Sequence, residues 1–350
     1  MKQTRMTTAS IQVLPKGVLG RLLASCLLVW LPACASGDVG PERPTLDKVR
    51  AVVLPILFTA PFHIAAAEGF FEDEGLDVEF IRLTRNIDAI PALAQGEVDV
   101  GGGQLTVAML NAIAGGSRIR AVVDSGHLAA DGCTFAGVVV RSELLREGRV
   151  TDAEQLRGRR LEVDLVLPHA YWLEGALRTV GLGFDDMELV NVPAAATVEA
   201  FLSHAYDLTS VTEPRITQMV QTGQGAVWMG VQELFPDYPQ SLLFFGASLL
   251  DERPEVGERF TAAYVRAIRQ YNEGKTPRNL EILESALRMS RADLTTACWV
   301  SMDDDGHIPL AGLTGYQQWV MQRGLLDRVM PEEELIETRF IDAAIARLAR

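Results

Sequence analysis

Cysteine and histidine are both scarce in this chain. Of four cysteines, only Cys133 and Cys298 lie beyond residue 34, too few and too far apart for a disulfide scaffold. One bridge between them is open, and two buried thiols are the expectation. The five histidines, His63, His127, His169, His204 and His307, show neither the HxxxH nor the HExxH spacing that places two imidazoles on one helix face for zinc. Asp303-Asp304-Asp305-Gly306 begins like a calcium loop but lacks the closing glutamate six residues after the glycine, where Gly312 stands; it reads as a solvated turn. Positive charge is also short. Lys and Arg number 32 against 46 Asp and Glu, a formal net charge of −14. Such a surface repels phosphate backbones and anionic headgroups, which argues against nucleic acid as a partner and against electrostatic membrane docking. Nothing in the chain has the pattern of an activated nucleophile, a metal cage or a phosphate loop. No catalytic residue, metal or cofactor is expected.

The N-terminus also lacks an apolar run long enough to span a membrane, which needs about 20 residues. Leu22 to Leu31 is interrupted by Arg21 on one side and followed by Pro32-Ala33-Cys34-Ala35 on the other. With Lys2, Arg5, Lys16 and Arg21 before it and no acidic residue, residues 1–33 read as a secretory signal. Leu31-Pro32-Ala33-Cys34 resembles the lipobox of bacterial lipoproteins, which makes Cys34 the lipidated anchor of an extracytoplasmic protein. Ala33-Cys34-Ala35 also fits ordinary cleavage, which would release a soluble secreted product. Acyl chains contribute about 0.8 kcal/mol per buried methylene, so two or more would hold the protein at a membrane without a spanning helix. Residues 34–45, rich in Gly, Pro, Asp and Glu from Gly37 to Pro44, have the composition of a tether.

What is present is a globular composition, 48% apolar and 22% charged, in a length that supports two domains with separate cores. Val49 to Leu54 is β-rich. Phe62 to Glu74 has helical spacing and is closed by Gly75. Leu76 to Phe80 alternates as a strand, Asn86 to Gln95 returns to helix, and Val98 to Val100 is a strand opening into Gly101-Gly102-Gly103. This alternation places the chain in the α/β class, with parallel strands and crossover helices. The same grammar returns after a capping-box pattern at Thr151 to Glu154: strand Arg160 to Val166, helix His169 to Val180, strand Met187 to Val192, helix Thr197 to Ser203, strand Tyr206 to Ser210. GEVDVGGG and HAYDLTSV are counterparts in a weak internal duplication, one copy per domain. Ser241 to Phe245 reads as a strand running back to the first domain, so the chain crosses near Gly137 and again near Leu234. From Pro254 onward the chain is mostly helical.

Pro61-Phe62-His63-Ile64-Ala65 with GFFEDEGLDVEF, then ALAQGEVDVGGG, DAEQLRGRRLEV, TVGL and Thr212-Glu213-Pro214, resemble in this order the nitrate/sulfonate/taurine and thiamine-precursor group of ABC-importer solute-binding proteins. The match runs from Val49 to about Phe260. It implies a type II periplasmic-binding-protein fold, two α/β lobes joined by a two-strand hinge with a helical C-terminal region. Residues 46–137 plus 235–350 would form a discontinuous first lobe and 138–234 the second. A small-molecule ligand, an ABC permease as partner and a monomeric state are expected with it. Gly183-Phe184-Asp185 and His204 stand where members of the group vary widely, and Asp131-Gly132-Cys133 carries no ligand signature.

In open α/β sheets, ligands sit beyond the carboxyl ends of the strands. Candidate contacts there are Pro61, Phe62 and His63 at a helix start, and Gly103, Gln104 and Thr106 after the glycine strand. Gly126 and His127 stand at another strand end, His169 and Tyr171 begin a helix of the second lobe, and Glu213 follows Thr212. Each has a plainer alternative. The glycines permit tight strand–helix packing, the histidines are satisfied within the fold, one of Tyr171 and Trp172 faces the core, and Glu213 complements a helix dipole. The rival to a binding protein is an enzyme on the same fold acting on a pyrimidine or chorismate-like compound.

Overall fold

Two five-stranded sheets organise the chain. The computed structural model describes residues 45–82, 88–145, 150 and 153–350; the signal segment, Cys34, nearly all of the tether, and Thr151 and Asp152 of the capping-box pattern lie outside the described residues. The first sheet is built from β1 (Asp47–Val53), β2 (Leu76–Arg82), β3 (Val100–Gly103) and β4 (Arg120–Leu128), and the second from β5 (Ala136–Arg141), β6 (Arg160–Glu162), β7 (Glu188–Val190), β8 (Leu208–Thr212) and β9 (Gly225–Gly230); β10 (Tyr238–Phe245) returns to the first. Their orders are β2-β1-β3-β10-β4 and β7-β6-β8-β5-β9. In each sheet one strand arrives from the other and runs antiparallel to both neighbours: β10 between β3 and β4, and β5 between β8 and β9. Every residue of β5 and β10 is buried, as expected of strands covered on both faces. The crossings fall in residues 129–135 and 231–237.

The duplication extends to single hydrogen bonds. Asp99, just before β3, accepts from the Arg50 amide at 2.8 Å, while the Arg50 guanidinium donates to the Gly96 carbonyl at 2.8 Å. Asp207, just before β8, accepts from the Arg160 amide at 3.0 Å, and the Arg160 guanidinium donates to the His204 carbonyl at 2.7 Å. Gly96 and His204 occupy the same left-handed turn, at φ 69° and 61°. In each lobe a carboxylate just before the third strand satisfies the amide of an arginine in the first, and this locks the first strand against the third.

Helices cover the sheets. Those that bear on the site are α1 (Ala60–Ala67), α2 (Val107–Ala114), α3 (Pro168–Arg178), α4 (Arg215–Gln221), α5 (Pro254–Asn272) and α6 (Leu313–Gln322). Helix α5 places Val256, Phe260, Ala263, Tyr264, Ala267 and Tyr271 on one buried face, the i, i+3, i+4 stripe of a helix laid on a sheet. Its Phe260 stacks on Phe71 at 5.0 Å and tilts against Phe62 at 6.2 Å. Phe260→Ala would remove a fully buried ring at a cost of about 3–5 kcal/mol.

Several sequence expectations change here. The helix read over Phe62 to Glu74 is two pieces, because Gly69 adopts φ 73° and breaks it before Phe70–Asp73. At the end of the helical C-terminal region, Glu332–Leu335 and Arg339–Leu348 are separate short helices. The three glycines lie inside β3 instead of beyond it. Cβ atoms on Gly101 and Gly102 would stand 3.1 Å from Leu93 and 3.2 Å from Phe62, so close strand–helix packing uses them. Cys133 and Cys298 are not two thiols but a disulfide. The chain brings them together because the C-terminal region folds back on β4, with bridges His127–Ser301 and Ala121–Ile336.

Candidate ligand-binding site

The carboxyl ends of β3 and β6 face each other through two cross-lobe contacts. Gln104 Nε2 meets His169 Nε2 at 3.2 Å, and the Val107 amide donates to the Val166 carbonyl at 3.3 Å. Thr106 caps α2, its hydroxyl accepting from the Met109 amide at 3.2 Å. That cap serves α2 beyond its first residue and leaves the Val107 amide to the other lobe. Gly103 precedes this turn and pairs with Leu242 of β10. Gln104, Thr106 and His169 are the predicted residues that the fold gathers at one point.

His169 sits at the start of α3 with its ring stacked on Trp172 at 4.9 Å. Burial, then the nearby Arg215 charge, holds its pKa down to about 4, against a bond to the Ser210 carbonyl that acts the other way. The imidazole is therefore neutral near neutral pH. One nitrogen is a donor toward Ser210 and Nε2 an acceptor toward the Gln104 amide, so the pair can rearrange to offer a donor and an acceptor to a guest. Two polar groups nearby have no partner among the described residues: the Ser210 hydroxyl and the Trp172 indole nitrogen, both buried. Ser210 was missed from sequence, although the duplication carries the signal, since it stands in HAYDLTSV where Gly102 stands in GEVDVGGG. Glu162 was missed too. It ends β6, accepts from Thr209 at 2.5 Å, and burial raises its carboxyl above the usual range.

The remaining predicted residues are placed elsewhere or already satisfied. Phe62 is corrected to the first-lobe core: it is wholly buried and edge-on to Phe80 and Tyr264 at 6.1 and 5.0 Å. Pro61 is buried beside it in the first turn of α1. His63 is 8% exposed and lies edge-on to Phe80 at 5.5 Å; burial first, then Arg82, lowers its pKa to about 4. Gly126 backs onto Val300, which a Cβ would meet at 2.9 Å, so its backbone freedom serves packing. His127 bonds Asp124 at 2.7 Å. Burial would lower its pKa, but the bond and charge of Asp124, with Asp237 and Asp303 nearby, outweigh this and raise it. Asp124 also accepts from the Asp303 amide at 3.1 Å, which docks the acidic turn on β4. Glu213 is turned to its own helix: it accepts from the Thr217 amide and hydroxyl at 3.1 and 2.8 Å, and from the Cys298 amide at 3.5 Å. Tyr171 packs on Phe235, Tyr316 and Trp319, while Trp172 is wholly buried.

A profile of the NMT1-like family matches residues 42–283. The chain belongs to the NMT1-like family. A Brucella abortus (strain 2308) protein, named as a binding protein without a stated ligand, is 23% identical over 280 residues, covering 79% of this chain and 80% of its own. Among solved structures, the ligand-binding component of an ABC-type import system from Staphylococcus aureus, with zinc bound, superposes with a TM-score of 0.69 at 17% identity, covering 85% of this chain and 99% of that one. The periplasmic aliphatic sulphonate-binding protein SsuA of Escherichia coli gives 0.67 at 14% identity, covering 83% and 92%. The fold is shared more widely, since the desulfurization enzyme DSZB superposes with a TM-score of 0.59 at 17% identity, over 86% of this chain and 99% of that one. The fold is that of a type II periplasmic binding protein. Among the described residues, no group of three or more His, Cys, Asp or Glu is placed to hold a metal ion, and no helix is long and apolar enough to cross a membrane.

Proposed function

We propose that this protein is the extracytoplasmic solute-binding component of an ABC importer. It captures a small organic solute, a sulfonate, a nitrogenous heterocycle or a related compound, between lobes of residues 46–137 plus 235–350 and 138–234, and delivers it to a membrane permease. The observation that carries this reading is the contact of Gln104 with His169: two neutral polar groups, one from each strand-end cluster, meet where a guest would bridge the lobes. A ligand bound to both lobes stabilises the closed arrangement through contacts that the open one lacks. The protein acts as a monomer, held to the membrane by lipid on Cys34; cleavage after Ala35 would instead leave it soluble.

A thermal-shift screen of the mature protein against sulfonates, nitrate, pyrimidines and amines tests the reading. A ligand at about 100 Kd should add about 2.7 kcal/mol, and Gln104→Ala should weaken the response. No shift with any class would overturn it. An enzymatic reading draws on the likeness to DSZB; turnover of a screened compound, abolished by His169→Ala, would replace binding with catalysis. Intact mass of membrane-extracted protein distinguishes lipidation at Cys34 from cleavage.

A further inference from the structure

Helix α3 touches the first lobe at its N-terminus and again along its middle. At its N-terminus, Val166 and His169 meet Val107 and Gln104 across the cleft. Further on, Tyr171 and Glu174 face α6, Tyr171 packing on Tyr316 and Trp319. Glu174 is 7% exposed. Its carboxylate accepts from Trp319 Nε1 at 2.5 Å, and pairs with Arg323 at 2.8 Å and Arg178 at 3.3 Å. Arg323 also lies over the Phe184 ring of the second lobe at 5.4 Å. Gly315 of α6 makes this approach possible, since a Cβ there would meet the Tyr171 hydroxyl at 2.8 Å; Gly312, just before α6, sits against Tyr238 of β10, which a Cβ would meet at 2.6 Å.

Helix α6 is itself fastened to the first lobe. Asn111 on α2 donates to the Leu325 carbonyl at 2.8 Å, and Ile336 pairs with Ala121 of β4. A closed mechanical circuit results, running from α2 across the cleft to Val166, along α3 to Glu174, over to α6 and back through Leu325 to α2.

We propose that Glu174 is the positioning residue of an interlobe strap, in which α6 holds α3 against the first lobe and sets how readily the cleft opens. The proposal rests on the two-lobe binding reading and deepens it. A buried carboxylate joined to an indole and a guanidinium of the opposite lobe resists separation, because parting them strips it of two of its three partners and leaves it only Arg178, on its own helix. Release of the strap lets α3 swing, and His169 leaves Gln104.

Amide hydrogen exchange of the full chain tests this without a ligand, so its failure is distinct from a failed ligand screen. The Val107 amide is the right reporter: as the first residue of α2 it has no acceptor in its own helix, and its bond crosses the cleft. In Glu174→Gln and in the milder Arg323→Gln, Val107 exchange should rise about tenfold, while Leu242 and Leu243 of β10 stay protected. Unchanged Val107 exchange in either folded variant would overturn the proposal. So would exchange that rises equally in β10 and Val107 in both variants, which is loss of fold instead of opening.

Discussion

Acidification should destabilise this protein through His63, and the size of the effect follows from where the ring sits. His63 is 8% exposed and wedged against Phe80, so burial and Arg82 lower its pKa from 6.5 to about 4. The folded state then refuses a proton that the unfolded state accepts. Above about pH 6.5 the ring is neutral in both states and contributes nothing. As pH falls from there to about 4, the unfolded chain is progressively favoured by about 1.4 kcal/mol per pH unit, or about 3 kcal/mol in all. His127 and His307, whose pKa values are raised, act in the opposite sense and gain stability as pH falls. The comparison must therefore be a difference. Urea unfolding of the wild type and His63→Gln from about pH 7.5 to about pH 4.5 should give a shallower loss of stability in the variant, which has no titrating ring. An NMR titration of the His63 ring should place its midpoint well below 6. A midpoint near 6.5, or identical pH dependence in both proteins, would refute the reasoning.

Three further outcomes follow from other parts of the fold. His204→Gly should stabilise the protein by about 1 kcal/mol, since a side chain at φ 61° carries left-handed strain, and Gly96→Ala at the counterpart turn should destabilise it by at least about as much; both are measured by denaturant unfolding. Cys133→Ser with Cys298→Ser should cost about 2–5 kcal/mol, and addition of reductant to the wild type should reproduce the loss. Gly126→Ala should destabilise by about 1–3 kcal/mol through its clash with Val300, with Gly183→Ala, which meets nothing within 4 Å, as the neutral control.

Local pattern determined the α/β class, the alternation of strands and helices along the chain and the duplication, because each depends on neighbours within a few residues: alternation for β2, helical spacing for α5, a turn residue and an aspartate before β3 and β8. The pairing of GEVDVGGG with HAYDLTSV is borne out bond by bond at Asp99 and Asp207, since both carboxylates are spent on the residue type that the motif spacing brings to the first strand. Side-chain destinations were a different matter. Gln104 and His169 are 65 residues apart, and only the meeting of the two sheets puts them in contact. Phe62 and Gly126 look free to touch a ligand in the linear chain, yet Tyr264 and Val300, supplied from the C-terminal third, already fill the space beside them. The same long-range return joins Cys133 to Cys298 and sets Trp319 on Glu174. Contacts of this kind are chosen by packing, which compares the shapes of segments that the chain itself keeps far apart, and a sequence pattern read through short windows carries no record of them.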